Sequence, residues 1–358
     1  MTFLVDPLTT LYGPLRPPLL LANQFKKDYD ITFVSYFVGE DAIKKLEGFK
    51  VISLGKRPLL PKSLATLEGW LRRSKFKSMD DEVILNFSQC FLANAHIYYA
   101  QGPITRALDD VQPQVKGIYR CAYKLARPFL VRLDRSFNEK LRTLSLFFIA
   151  NSKFCASMYE DWGIKVDGII HPPLDCESFK PTNLRPSEDY ALTYFGKETK
   201  YSVIKRIADA GVKIKAFGSK APYIPKHLLK HPNVEFLGRV SDEELADLYS
   251  NALYTLFTFT HEPFGYIPVE SMACGTPVLT YDKQGPRETV VDGVTGWLAK
   301  SDEELVELAV TYWRNEYPSW MRARCRERAL EFDVKVVAER WLEIIKRLRT
   351  SYENAMNY

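Results

Sequence analysis

A chain of 358 residues is longer than one ordinary core serves, so two domains are expected. Its 46% hydrophobic and 26% charged content is that of a globular protein, and no apolar run approaches the roughly 20 residues of a membrane helix. The net charge of +5 lies in the first half: through Ser178 there are 24 basic and 19 acidic residues, and beyond it 25 of each.

The opening "MTFLVDPLTTLYG" has neither the basic n-region nor the small-residue cleavage site of a secretory leader, so a cytoplasmic protein is expected. Along the first half, "ITFVSYF" (31–37), "FKVISLG" (49–55), "EVILNFS" (82–88), "HIYYAQG" (96–102) and "LSLFFIANS" (144–152) read as short buried strands. Between the last two lies "KGIYRCAYKLARPFLVRLDRSFNEKLR" (116–142), with eight basic residues against two acids. It is either a solvated helix face beside an apolar stripe or a surface that attracts an acidic partner or a membrane. Next comes "IIHPPLDCESFKPTN" (169–183), where Pro172, Pro173 and Pro181 fit neither a helix nor a central strand, which marks a domain boundary.

Beyond that boundary "DYALTYFGK" (189–197), "KIKAFGS" (213–219), "NVEFLGR" (233–239), "ALYTLFTFT" (252–260) and "TPVLTYD" (276–282) read as strands. The helix "YSVIKRIADAG" ends at Gly211, and "SDEELADLYSN" opens on Ser241 with Glu244 as its capping-box partner. "SDEELVELAV" repeats that arrangement with Ser301 and Glu304. The chain closes with a helix in which Val337, Trp341, Ile344, Ile345 and Leu348 recur at helical spacing, a stripe that must be buried somewhere. Strand–helix alternation on both sides of the boundary predicts an α/β fold: two Rossmann-like, doubly wound parallel-sheet domains facing each other across a cleft. The expected domains are 1–175, 176–333, and a final helix 334–358 that packs back on the first. The six cysteines (Cys90, Cys121, Cys155, Cys176, Cys274, Cys325) form no Cys-x-x-Cys pair and stand at no zinc spacing with histidine, so reduced, mostly buried thiols and no metal are expected.

The stretch "HEPFGYIPVESMACG" (261–275) concentrates the chemistry. A strand emits a loop at its C-terminal end, Pro268 suits the first turn of the helix that follows, and Gly275 stops that helix. The N–H groups of Gly265, Tyr266 and Ile267 would then be free donors for an anion. Glu262 and Glu270, with seven residues between them, flank this terminus. Carboxylates beside an anion site suit a sugar nucleotide, although Glu270 is also favoured by the helix dipole alone and Glu262 is also readable as a surface acid.

"EPFGYIPVESMACGTPVLTYDKQGPRETVVDGVTGWLAK" resembles, over some forty residues, the E-x7-E signature of the family 4 retaining glycosyltransferases, which have the GT-B fold. The Gly-Pro-x-Glu and Asp-Gly-x-x-Gly elements are included. "FFIANSKFCASMYEDWGIKVDGIIHPPLDCESFKP" and "NVEFLGRVSDEELADLYSNA" resemble the family's interdomain segment and base-side segment, so the resemblance spans much of 145–300. It implies that Glu262 contacts the donor sugar, that Phe264, Gly265, Tyr266 and Ile267 present backbone to sugar and diphosphate, and that Glu270 binds the ribose. Gly238, Arg239 and Val240 would lie beside the base.

The family's basic pair is altered. Lys197 takes the arginine position, Val203 the lysine position, and Lys200, or else Lys205, is left to replace it. In the first domain "IYYAQGPITRALDD" resembles the acceptor segment: Pro103 and Arg106 fit with one inserted residue, and Gln101 stands where relatives carry histidine. His96, nearby, reads as structural. In "LYGPLRPP", Gly13 is the one glycine for close approach to phosphate, with Arg16 facing it. The resemblance implies transfer with retention from a nucleotide-sugar donor, no metal, and a leaving phosphate that takes the acceptor's proton. The acceptor is open among a lipid-linked sugar, a protein glycan, a small molecule and nucleic acid, and the basic first domain favours peripheral contact with a membrane. The competing readings are a non-catalytic GT-B module that binds sugar or nucleotide, and another GT-B chemistry such as an epimerase or phosphorylase.

Overall fold

The computed structural model describes residues 1–8, 15–55, 65–72, 75–76, 83–114, 117–183, 186–219 and 224–356. The chain forms two compact units: Met1–Pro173 with Val334–Tyr358, and Leu174–Asp333. It passes between them twice, at 173/174 and at 333/334.

The first unit is built on a parallel sheet of seven strands: β1 (Thr2–Leu4), β2 (Thr32–Ser35), β3 (Lys50–Ser53), β5 (Ile84–Asn86), β7 (Ala95–Ala100), β8 (Ser145–Ala150) and β9 (Gly168–Ile169). Their order is β3-β2-β1-β5-β7-β8-β9, and β4 (Lys75–Phe76) and β6 (Leu92–Ala93) pair separately. The closing helix Val334–Met356 belongs to this unit. Its Trp341 is wholly buried between the rings of Phe87 and Tyr99, with centroids 5.5 and 5.2 Å away. Burying that indole is the chief apolar gain of the helix, on the order of 2–3 kcal/mol.

The second unit carries six parallel strands: β10 (Ala191–Phe195), β11 (Ile214–Gly218), β12 (Val234–Gly238), β13 (Tyr254–Leu256), β14 (Val278–Tyr281) and β15 (Gly296–Ala299). Their order is β12-β11-β10-β13-β14-β15. The winding reverses between β10 and β13, and outside the carboxyl ends of two such strands an open α/β sheet binds its ligand.

All ten strands read from the sequence are present. The run 252–260 is strand only over Tyr254–Leu256, because the chain leaves the sheet after it to form the loop described below. Ser241 and Glu244 make the reciprocal capping box at 3.2 and 2.7 Å. The second box is only half formed: Ser301 Oγ accepts from the Glu304 amide at 3.1 Å, but the Glu304 carboxylate takes the N–H of Lys300 instead. All six cysteines are free thiols, and of them only Cys121 is exposed.

Candidate functional site

The turns after β10 and β13 are sewn together at the switch point. Thr199 Oγ accepts from the Gly196 amide and donates to the Tyr194 carbonyl, both at 2.9 Å, which closes the β10 turn. The Thr260 amide donates to the Glu198 carbonyl at 2.9 Å, and the Lys200 amide to Thr258 Oγ1 at 3.3 Å.

The two lysines assigned to the basic pair diverge. Lys197 keeps 72% of its side chain exposed, with Nζ 3.2 Å from Glu198. Lys200 Nζ lies 2.6 Å from Asp302 Oδ1, which also accepts from the Tyr281 hydroxyl at 2.6 Å, and it sits 4.6 Å from the Tyr281 ring centroid. Burial raises the Asp302 carboxyl, but Lys200 and Tyr281 outweigh it and hold the group below the usual carboxylate range. Lys205 pairs with Asp209 on its own helix at 2.6 Å, and Val203 is core.

The β13 turn carries the two glutamates. Gly265 is the N-cap of helix Tyr266–Ala273, at φ +95° and ψ +71°. That left-handed conformation is one only glycine adopts without strain. The Gly265 amide is not free, contrary to the sequence expectation. Glu262 Oε1 accepts from it at 3.0 Å and from the Phe264 amide at 3.4 Å. The chain thus supplies its own anion to the amides leading into this helix.

Glu262 retains some exposure, yet burial pushes its carboxyl up to about 7, against the opposing pull of the two amides. Glu270 corrects a second expectation. It lies in the second helical turn rather than the first, is buried, and accepts from the Tyr249 hydroxyl at 3.0 Å. Its position is set by a tyrosine on helix Asp242–Asn251 more than by the helix dipole.

Residues the sequence did not single out hold this turn. Gln284 Oε1 accepts from the Glu262 amide at 2.7 Å, and its Nε2 donates to the Thr260 carbonyl at 3.3 Å. The Gly285 amide donates to the Glu262 carbonyl at 3.0 Å. A Cβ on Gly285 would lie 2.4 Å from the Pro263 carbonyl oxygen and from Phe264 Cα, so only glycine permits the approach. Gln284 itself has φ +55°, a strained position at the clamp. At the far end of the helix, Arg326 donates to the carbonyls of Ala273, Phe179 and Cys176. The signal for the clamp was present in "KQGPRE", where glycine and proline follow a strand, but its partner lies 22 residues away.

Beside β12, Gly238 has φ +78°, Arg239 is exposed, and Val240 packs against the core of the unit. Phe264 is buried, while Tyr266 and Ile267 are half-buried.

The residues expected on the acceptor side belong to the first unit. Gln101 Nε2 donates to the Phe87 carbonyl at 3.3 Å. Arg106 pairs with Asp161 at 2.8 Å and lies 5.9 Å from the Trp162 ring centroid. Arg16 opens helix Arg16–Phe25, and Gly13 lies outside the described residues. His96 Nδ1 accepts from the Ile84 amide at 3.1 Å, a structural role, and burial lowers its pKa. Asp109 and Asp110 stand inside helix Ile104–Val111 rather than capping it, and Asp109 pairs with Arg127 at 2.6 Å. Among the described residues no cluster of metal-ligating side chains occurs.

Comparison with known proteins gives matches to parts of the chain. Residues 220–332 match the family model described as Glycosyl transferases group 1. An alpha-1,3/1,6-mannosyltransferase, ALG2, of Eremothecium gossypii is 37% identical over 98 residues, which are 24% of this chain and 19% of that protein. An uncharacterized glycosyltransferase of Methanocaldococcus jannaschii is 31% identical over 133 residues, 37% of this chain and 36% of the relative. The matches thus span about a fifth to a third of the length of these relatives. Among solved structures, Anabaena HepE in complex with UDP superposes with a TM-score of 0.70 at 16% identity, over 97% of this chain and 99% of that one. At that identity the likeness establishes the fold, two parallel-sheet α/β domains of the GT-B class.

Proposed function

We propose that this chain, whose second unit carries a group 1 glycosyl transferase domain on a GT-B fold, moves a sugar from a nucleotide-sugar donor to an acceptor hydroxyl. One observation carries the reading. Glu262 and the amides leading into helix Tyr266–Ala273, with Glu270 in that helix's second turn, follow the strand end where the sheet reverses.

The donor's diphosphate takes the place that the Glu262 carboxylate now holds at the amides. Released from them, Glu262 accepts from the sugar hydroxyls. Glu270, positioned by Tyr249, accepts from the ribose, and the backbone at Gly238, Arg239 and Val240 borders the base. As the glycosidic bond breaks, negative charge grows on the diphosphate. Lys197 and the amides meet that charge, and such preorganised donors supply the main rate acceleration in a reaction of this kind. Lys200, tied to Asp302, acts by holding Tyr281 and the loop in place unless the donor draws it away.

Transfer proceeds with retention in this reading, as the resemblance of the Glu262–Glu270 segment to the retaining family implies, and without metal, since cations and amides neutralise the leaving group. Gln101, Arg106 and Arg16 are proposed for the acceptor side.

The test is a thermal-shift screen of UDP-, GDP- and ADP-sugars, mannosyl donors included because one relative is a mannosyltransferase. The donor that stabilises the protein is then followed for sugar transfer by the wild type and Glu262→Gln. Transfer that survives chelation and falls at least about 100-fold in the variant supports the reading. A bound donor that is neither transferred nor hydrolysed points instead to a binding module, and inversion at the anomeric carbon, read by NMR, contradicts retention.

A further inference from the structure

Helix Ile118–Leu144 has two unlike faces. On one, Asp134, Phe137 and Leu141 are buried in the first unit. On the other, Leu125 is 86% exposed and Phe129 is 59% exposed. These two are four residues apart and therefore neighbours on the helix surface.

Cations flank them. Lys124 and Arg132 are exposed and take no ion-pair partner among the described residues. Arg127 is neutralised by Asp109, and Arg135 by Glu139 at 2.8 Å. The remaining acid of the helix, Asp134, is fully buried and accepts from Thr105 and Asn138. The exposed segment 124–132 therefore presents free positive charge and two large apolar side chains, with no free carboxylate. An ordinary solvated helix mixes both signs and does not hold a leucine and a phenylalanine side by side in water. A purely electrostatic partner would satisfy the cations and leave that apolar pair in water.

We propose that this face docks on a bilayer surface containing anionic lipid. Lys124 and Arg132 reach the lipid phosphates, while Leu125 and Phe129 enter the boundary between headgroups and acyl chains. The attachment is to one leaflet, since no helix among the described residues is long and apolar enough to cross a membrane. It is independent of the transfer reaction, because the vesicle assay needs neither donor nor acceptor.

The full chain is sedimented with phosphatidylcholine vesicles and with vesicles that also contain phosphatidylglycerol. The wild type should partition onto the anionic vesicles alone and be released by high salt. The double variants Leu125→Glu/Phe129→Glu and Lys124→Glu/Arg132→Glu should each lose at least about tenfold in partitioning. Their melting temperatures should match the wild type, because all four side chains are exposed. Failure of the wild type to bind anionic vesicles overturns the proposal, as does binding that the variants retain. A wild-type dimer that Leu125→Glu dissociates in light scattering also overturns it, by assigning the face to a second copy.

Discussion

The turn after β13 and the turn after β7 solve the same local problem with opposite consequences. Each leads from a parallel strand into a short helix, and each sets a carboxylate on amides at that helix's start. After β7 the carboxylate is Asp134, delivered from helix Ile118–Leu144. Its Oδ2 accepts from the Thr105 amide and hydroxyl at 2.8 and 2.7 Å, and its Oδ1 from Asn138 at 2.8 Å. It has no exposed surface. After β13 the carboxylate is Glu262, which belongs to the turn itself and keeps part of its surface in solvent. An acid delivered through the core is a fixed part of the fold. An acid on the turn can leave by rotating its own side chain. The proposed exchange of an internal anion for a ligand's phosphate needs the second arrangement, and only the second lies in the segment that matches the glycosyl transferase model.

Removing each carboxylate should break the symmetry most. Asp134→Ala orphans the Thr105 amide, the Thr105 hydroxyl and Asn138 in the core, and should cost about 3 kcal/mol in urea unfolding. Glu262→Ala should cost about 1 kcal/mol or less, since water can reach the amides it leaves. Equal losses for the two would erase the distinction.

Gly265→Ala comes next. It forces a side chain into a left-handed position with its Cβ 3.2 Å from Pro286 Cγ, and should cost about 1–2 kcal/mol while weakening donor binding. A variant that binds donor normally would show that the left-handed conformation at Gly265 is not needed by the site. Ser241→Ala sets the scale for a neutral hydroxyl cap outside both turns. It should cost about 1 kcal/mol in the same unfolding series.

A further pair of effects is linked to pH. Burial raises the Asp134 carboxyl to about 6 from 3.8 and that of Glu262 to about 7 from 4.5. An acid raised on folding binds its proton more readily in the native state, so stability falls as pH rises between the two values. Asp134→Asn should remove that slope between pH 3.8 and about 6, and Glu262→Gln between 4.5 and about 7. Urea midpoints across this range would show each slope vanish or persist.

Much of the second unit was legible in the sequence. Five buried strands with alternating helices fixed its class, and Ser241 with Glu244 marked a helix start to the residue. The strands β1, β4, β6, β9 and β15 were not read from the sequence. The spacing of Glu262 and Glu270 was visible, but what each carboxylate touches was not. That Glu262 turns back on its own amides is a matter of side-chain rotation, and that Tyr249 holds Glu270 is a contact across 21 residues. Lys200 was read as a loop cation, yet it is bound to Asp302, 102 residues further on. Gln101, read by its place in a segment, has its amide committed to the Phe87 carbonyl. For Glu270, Lys200 and Gln101 the local pattern was readable and the partner further along the chain was not; for Glu262 it was the side-chain rotation that the pattern could not show.

The exchange of Glu262 for phosphate is tested most directly by titrating nucleoside diphosphate into the wild type and Glu262→Ala by calorimetry. The account predicts that the variant binds the diphosphate at least as tightly, because the amides of Phe264 and Gly265 are vacated and a nearby negative charge is gone. Loss of diphosphate binding in a variant that melts like the wild type would contradict it.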